Sequence, residues 1–536
     1  MKTLLLFLSC SLLATTVFAQ GVTFTATSMN TPGTQRAIVD MDSDGLDDIV
    51  SVSQTNINIH YQLLAGGFNS VDITTTPADY LPSWSLAAAD YDGNGYTDLL
   101  YGSGSGVTFM RASDDGTAFT EISGPEYVFS QRSNFVDINN DGHLDAFVCH
   151  DVEPNVYYLN DGTGNLTFHQ GGLGDYPSGG NYGSVWVDYN NDGNIDLFIA
   201  KCGGSAARRQ NELFMGNGDG TFTDMSTHSN LADSMQTWSS AWGDYDNDGD
   251  LDAFVGASSF SDGFHRLMRN NGDGSFTDVI NASGLTGFSS TGIENTPADV
   301  NNDGFLDIIS NGHVLYGAGD LTFPTVNLNV LSSDTGSLGD LNNDGFIDAY
   351  SGETMYMNNG NANNWIALYT RGDDSNMEGI GARVQIETPS GTQIRDVRSG
   401  EGFRFMSTLR TNFGIGTDTQ VDKLTIFWPS GVIDKIINPA INTVHTVTEG
   451  TFLAVDENTA GSKVFIHPNP VGNLLTIKGL AQDASAQASV FSVTGQQLVQ
   501  PTVVNKAIDV SQLAAGTYFV AIVSNGKTIT KKMIKQ

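Results

Sequence analysis

The chain has 536 residues and a formal charge of −36, with 60 acidic against 24 basic side chains. That excess argues against nucleic acid or an anionic membrane as a partner, and the length suits two to four domains. Of three cysteines only Cys149 and Cys202 follow residue 19, and neither has a His partner at zinc-ligand spacing.

Residues 1–19 carry Lys2, the apolar run LLLFLSCSLLATTVF and the small-residue end Val17-Phe18-Ala19. This is the pattern of a secretory signal, with the mature chain starting near Gln20. The run is too short to span a bilayer, and no later stretch is apolar enough to form a transmembrane span.

Residues 20–361 repeat one nine-residue loop seven times, at intervals of 41 to 56 residues. The loops are DMDSDGLDD, DYDGNGYTD, DINNDGHLD, DYNNDGNID, DYDNDGDLD, DVNNDGFLD and DLNNDGFID. Their first and ninth places are Asp40 and Asp48, Asp90 and Asp98, Asp137 and Asp145, Asp188 and Asp196, Asp244 and Asp252, Asp299 and Asp307, and Asp340 and Asp348. The third and fifth are Asp42 and Asp44, Asp92 and Asn94, Asn139 and Asp141, Asn190 and Asp192, Asp246 and Asp248, Asn301 and Asp303, and Asn342 and Asp344. Gly always stands sixth, where it permits a backbone angle that a bulkier residue resists. Alternate oxygens on a tight turn converge on one centre and repel unless a hard cation lies among them. Ca²⁺, with six to eight oxygen ligands in flexible geometry, suits them better than Mg²⁺, so up to seven Ca²⁺ are expected. The seven loops hold 25 of the 60 acidic residues, making the acidity largely a metal-binding signature.

A repeat of this length signals a propeller or solenoid. Each loop leads into a short apolar run such as DIVSVS or DLFIAK, and Asn-Gly and Asp-Gly turns follow, as in LNDGTGNLTF. Four strands per repeat make one propeller blade. The twelfth place is never acidic and the flanks are strands, which excludes an EF-hand. The seventh repeat lacks its last strand, so residues 21–27 are expected to complete it beside Met355. Cys149 and Cys202 each follow a loop in neighbouring repeats; an inter-blade disulfide and two small buried residues are both open. Trp84, Trp186, Trp238 and Trp242 precede loops two, four and five, to line the channel top or pack between blades.

These loops, with an aromatic-Asp lead-in retained in copies two, four and five, resemble the FG-GAP/VCBS repeats of integrin-α-type propellers. The resemblance implies an all-β, seven-bladed β-propeller. It also implies a seventh-place carbonyl ligand from Leu46, Tyr96, His143, Asn194, Asp250, Phe305 and Phe346. Loops one and five, with four ligand carboxylates each, are expected to bind Ca²⁺ most tightly.

Residues 362–455 contain strand-like runs for a small β domain. The order GIGARV, RSGEGF, LRTNFGIG, WPSG resembles the ASPIC/UnbV domain, as in bacterial relatives of cartilage acidic protein. Arg371-Gly372-Asp373 spells an integrin-binding tripeptide, and Arg395, Arg398, Arg404 and Arg410 offer a basic cluster for an anionic glycan or for docking on the acidic repeats. Residues 456–462 are a polar linker. Residues 463–536, with PNP, VTGQ and IDVSQLAAGTYFV, resemble the type A C-terminal sorting domain of type IX secretion and read as a β-sandwich. The resemblance implies secretion, or display on the outer-membrane surface of a Gram-negative bacterium, with the secretion machinery as a partner.

HExxH, G-x-S-x-G and phosphate-loop motifs are absent from the mature sequence, and the histidines are scattered; His150 with Asp151 is the one pair weighed for catalysis. The expectation is a monomeric, calcium-stabilised binding or adhesion module for an extracellular glycan or protein. A calcium-dependent polysaccharide lyase or hydrolase and a structural spacer are the alternatives.

Overall fold

A computed structural model describes residues 21–452 except 34–35 and 334–335, and 465–467, 471–478, 486–492, 496–499, 507–524 and 527–536. The expected signal sequence and linker lie outside the described residues. The chain divides into two compact units, residues 1–453 and 454–536.

In the first unit, seven antiparallel sheets of four strands follow one another, beginning with Arg36–Val39, Asp48–Val52, Asn56–Gln62 and Phe68–Thr74. The second strand of every sheet starts on the ninth-place Asp, and all its residues are buried. A strand covered on both faces reads as continuously apolar, which is why runs such as DLFIAK do not alternate. The outer strands are more exposed, as in Phe68–Thr74. Six sheets are built from consecutive strands; the seventh takes its fourth strand from the other end of the chain. Phe24–Ser28 pairs antiparallel with Thr354–Asn358, Thr27 lying opposite Met355 as expected. The first sheet also meets the seventh directly: Gln62 Nε2 donates to the Asp340 carbonyl (2.8 Å), and the Asp340 N–H to Asp47 Oδ2 (2.9 Å). This is a seven-bladed β-propeller in which these contacts tie the beginning of the chain and the first repeat to the last.

Residues 364–448 form a three-stranded sheet, in which Asn364–Arg371 runs parallel to Val444–Thr448, and a four-stranded antiparallel one. Their core residues, among them Ile366, Val384, Phe413 and Ile426, are continuous with Val39, Leu86 and Phe135 of the blades. The small β domain is thus packed on the propeller within one unit. Cys149 and Cys202 are both free and buried, which answers the disulfide question in favour of packing. The second unit stands as a sandwich of a three- and a four-stranded sheet around Leu475, Ile477, Val490, Val520 and Ile522.

Candidate functional site

In every sheet the loop follows the innermost strand, so all seven loops share one face of the propeller, and the connections between sheets share the other. The sixth-place glycines have φ of 84° to 96°, the left-handed region the sequence demanded of them. The fourth place is left-handed as well: Ser43, Gly93, Asn140, Asn191, Asn247, Asn302 and Asn343 have φ of 54° to 72°. Asn tolerates that region better than other side chains with a Cβ, which accounts for its recurrence there.

The first-place Asp receives the N–H of the sixth-place Gly on one oxygen and the fifth-place N–H on the other, as at Asp244 (3.0 and 3.1 Å). The ninth-place Asp accepts two backbone N–H groups, for Asp252 those of Tyr245 (3.2 Å) and Asn270 (2.8 Å), bracing loop to third strand. The seventh-place N–H donates to the fifth-place oxygen in each copy, from Leu46 to Phe346.

The loops then separate into two kinds. In loops one, two and five, carboxylate oxygens of Asp40, Asp42 and Asp48, of Asp90, Asp92 and Asp98, and of Asp244, Asp246 and Asp248 lie within 4.8 Å of one another. Burial pushes Asp40 up to about 6 and Asp244 up to about 7, with neighbouring carboxylates adding to the rise. Asp246 Oδ1 is buried without a hydrogen-bond partner among the described residues. In loops three, four, six and seven the third place is Asn, and its amide donates to the fifth-place Asp: Asn139 to Asp141, Asn190 to Asp192, Asn301 to Asp303 and Asn342 to Asp344, at 2.9 to 3.0 Å.

Fourth-place side chains link loop to loop. Ser43 Oγ donates to the Gly95 carbonyl (3.0 Å); Asn191, Asn247 and Asn302 donate to Gly249 (3.2 Å), Gly304 (3.1 Å) and Gly345 (3.0 Å), each the sixth-place glycine of the next loop. Asn302→Ala should destabilise the unit by about 2 kcal/mol, summing a lost hydrogen bond and left-handed strain. Thermal melts of Asn302→Ala and Asn302→Gly separate the two, since glycine relieves the strain alone. A melt for Asn302→Ala equal to the parent would remove this role.

The small β domain covers the loop face. Arg371 Nη2 lies 3.2 Å from Asp40 Oδ2, Arg410 Nη2 2.7 Å from Asp340 Oδ2, and Arg383 Nη2 2.7 Å from the Asp188 carbonyl. Arg371 is therefore held on loop one, and the Arg-Gly-Asp tripeptide does not present it as a free cation. The Asp90 N–H donates to Glu378 Oε1 (2.6 Å). Each guanidinium of Arg371 and Arg410 meets the same first-place oxygen as the sixth-place Gly, while the other oxygen takes the fifth-place N–H.

Between Val397 and Arg410 the domain sends a finger into the propeller channel. The Ile38 N–H donates to Met406 O (3.1 Å) and the Leu86 N–H to Arg404 O (3.1 Å); Ser399 bridges Phe135. At the tip, the N–H groups of Phe403 and Arg404 donate to buried Glu294 (both 2.9 Å). Arg398 donates to the Trp242 carbonyl (3.0 Å) and pairs with Glu401 (2.6 Å), so this basic cluster docks on the propeller, one of the two roles expected of it. Phe403 is fully buried beneath Trp238 (4.9 Å between ring centres), Tyr182 (6.3 Å) and Trp84 (6.4 Å), which remain partly exposed on the face opposite the loops. Trp186 and Trp242 pack between sheets instead, against Phe147 (5.2 Å) and Phe198 (5.4 Å). His150 is buried, its N–H taken up by Asn155 (2.9 Å), and Asp151 is paired with Arg208 (2.7 Å).

FG-GAP-like repeats match residues 40–101, 90–148, 137–199, 188–255 and 256–310, together half of the chain. The chain belongs to the FG-GAP-like repeat family. Beyond the FG-GAP region, ASPIC and UnbV matches residues 372–453, and the secretion system C-terminal sorting domain matches residues 465–536. The sorting domain makes this FG-GAP chain a secreted or cell-surface protein, and no helix among the described residues is long and apolar enough to cross a membrane. No curated protein matches it. Among solved structures, it is similar to an Agrocybe aegerita lectin recognising non-reducing terminal N-acetylglucosamine, at 18% identity and a TM-score of 0.40 over 58% of this chain and 81% of that one. It is also similar to PorZ, a surface component of the type IX secretion system of Porphyromonas gingivalis, at 12% identity and a TM-score of 0.37. That alignment covers 95% of this chain and 60% of PorZ. The extracellular domain of BT4673 from B. thetaiotaomicron aligns at 9% identity and a TM-score of 0.39, over 97% of this chain and 60% of that one.

Proposed function

We propose that the protein is an extracellular glycan-binding module braced by calcium. Loops one, two and five carry the calcium reading furthest. Their converging carboxylates and the partnerless Asp246 Oδ1 are the donor set a hard oxygen-seeking cation takes. Loops one and five carry four ligand carboxylates and the other five carry three, so affinity is highest at one and five because more charges face the ion. A bound ion would fix loop geometry and leave the chemistry of recognition to the other face.

The observation that carries glycan binding is the group of part-exposed rings Trp84, Tyr182 and Trp238 at the channel mouth. The finger fills the bore behind them, so the mouth is a shallow platform. Indole and phenol rings on such a platform stack on the C–H faces of sugars and hold hydrogen-bonding edges at their rims. Full-length protein at millimolar calcium should be retained on a glycan array without releasing products, and Trp238→Ala should weaken retention about tenfold. Product release from a polysaccharide panel would establish the enzyme reading instead; absence of retention on every glycan would remove the present one.

A further inference from the structure

Beside the aromatic mouth, on the same face, a cavity of about 690 Å³ opens at the fifth sheet, between the connections that lead into and out of it. This is well inside the size range of small-molecule sites, roughly 300–1,000 Å³. Its floor is apolar, formed by Phe288 and by His265, whose ring stacks on Phe288 at 5.3 Å. Both ring nitrogens of His265 are engaged, Nδ1 with the Ala257 N–H (3.0 Å) and Nε2 with the Ser290 carbonyl (3.1 Å), so the floor is neutral. One wall is a clamped strip: Arg266 Nη1 meets Asp233 Oδ2 (2.9 Å) and its Nε meets Asp278 Oδ2 (3.1 Å). The guanidinium fixes both carboxylates while leaving each with further acceptor capacity, all three groups being partly exposed. Phe264 stands at the lip, 71% exposed, an unusual position for so large an apolar ring.

We infer that this cavity is the principal subsite for a neutral saccharide unit, a deepening that rests on the glycan-binding reading above. The fixed carboxylates accept hydrogen bonds from adjacent hydroxyls, and the Arg266 clamp holds them in register. Phe264 and Phe288 provide the apolar surface for the sugar's C–H face. Carboxylates outnumber the guanidinium on the lining even with Asp262 paired to Arg209 (2.9 Å), so uronic or sulfated sugars are disfavoured. The cavity also joins the ring platform. Gln236 donates to Asp262 (3.3 Å) and accepts from Cys202 Sγ (2.8 Å), which itself receives the Trp238 indole N–H (3.1 Å). A chain seated in the cavity can therefore continue over Trp238.

The test is titration of the full chain with neutral oligosaccharides (cello-, xylo- and chito-series) and with heparin fragments. Phe264→Ala alters an exposed side chain, and Thr286→Trp fills the lip from an exposed position, so both variants should fold, as checked by melting. The expected result is binding of a neutral series at least tenfold weaker in Phe264→Ala and abolished in Thr286→Trp, with heparin unbound. Unchanged affinity in both variants while Trp238→Ala weakens it would overturn the subsite and leave the glycan-binding reading standing. Preference for heparin, or for an amine, would overturn the neutral-sugar assignment. Failure of the parent protein to bind any saccharide would overturn both readings.

Discussion

Chelation of the purified protein should lower its melting temperature by about 10 °C. A ligand bound by the folded state alone stabilises it by about 2.7 kcal/mol per site at a hundredfold excess over Kd. Three sites, in loops one, two and five where the carboxylates converge, then contribute about 8 kcal/mol. Unfolding entropy near the midpoint is about 2.1 cal/mol/K per residue, or about 0.9 kcal/mol/K for a unit of this size. The ratio gives a shift of about 9 °C. Scanning calorimetry in 1 mM calcium and in EDTA measures it directly. Two variants of loop five distinguish metal from scaffold. Asp252 braces two backbone N–H groups, so Asp252→Ala should lower the melt in both buffers. Asp246 has a partnerless oxygen and belongs to the carboxylate cluster, so Asp246→Asn should lower it in calcium and leave it unchanged in EDTA. Identical melts with and without chelator, with no calcium retained after dialysis, would sink the metal reading.

The parts of this molecule that could be read in advance are those whose causes are local. The loops are legible because their oxygen spacing is a nine-residue matter, and the strands because each begins on the ninth-place Asp and is continuously buried. Even the completion of the seventh sheet by Phe24–Ser28 followed from counting strands per repeat. The fourth-place Asn has no oxygen in the ligand pattern, yet its recurrence records a left-handed residue and a bond to the next loop. The finger was not legible. RSGEGFRFMSTLR has the composition of an ordinary surface loop, and its partners Ala37 and Phe135 lie more than 250 residues earlier. The available signal was charge: four arginines within 16 residues, set beside a strongly acidic repeat region, have a surface to neutralise. The cavity had no signal at all, since Asp233, Phe264 and Asp278 come from an inter-sheet connection, a hairpin turn and a strand end that only the fold brings together.

Arg410→Met should destabilise the first unit by about 3–5 kcal/mol, the penalty for removing one partner of a fully buried ion pair. Arg410 and Asp340 are 1% and 0% exposed at the side chain, and their 2.7 Å contact joins the base of the finger to loop seven. Asp47, likewise buried, accepts bonds from Tyr369 (2.8 Å) and the Asp340 N–H, and depends on Arg410 as its nearest compensating charge. Methionine preserves most of the arginine's volume, so the effect reports charge rather than a cavity. The pair is not expected to be a large net source of stability: Asp340→Asn with Arg410→Met should recover much of the deficit, because neither charge is then left alone. The deficit should also be smaller at millimolar calcium than in EDTA. An ion bound among Asp340, Asn342 and Asp344 would supply from the loop side the positive charge that the guanidinium no longer supplies from the finger side. Chemical denaturation of the single and double variants in both buffers decides the matter. A deficit below about 1 kcal/mol in EDTA would show that the finger is held by its backbone bonds and the Phe403 aromatic contacts alone, with the arginines as bystanders.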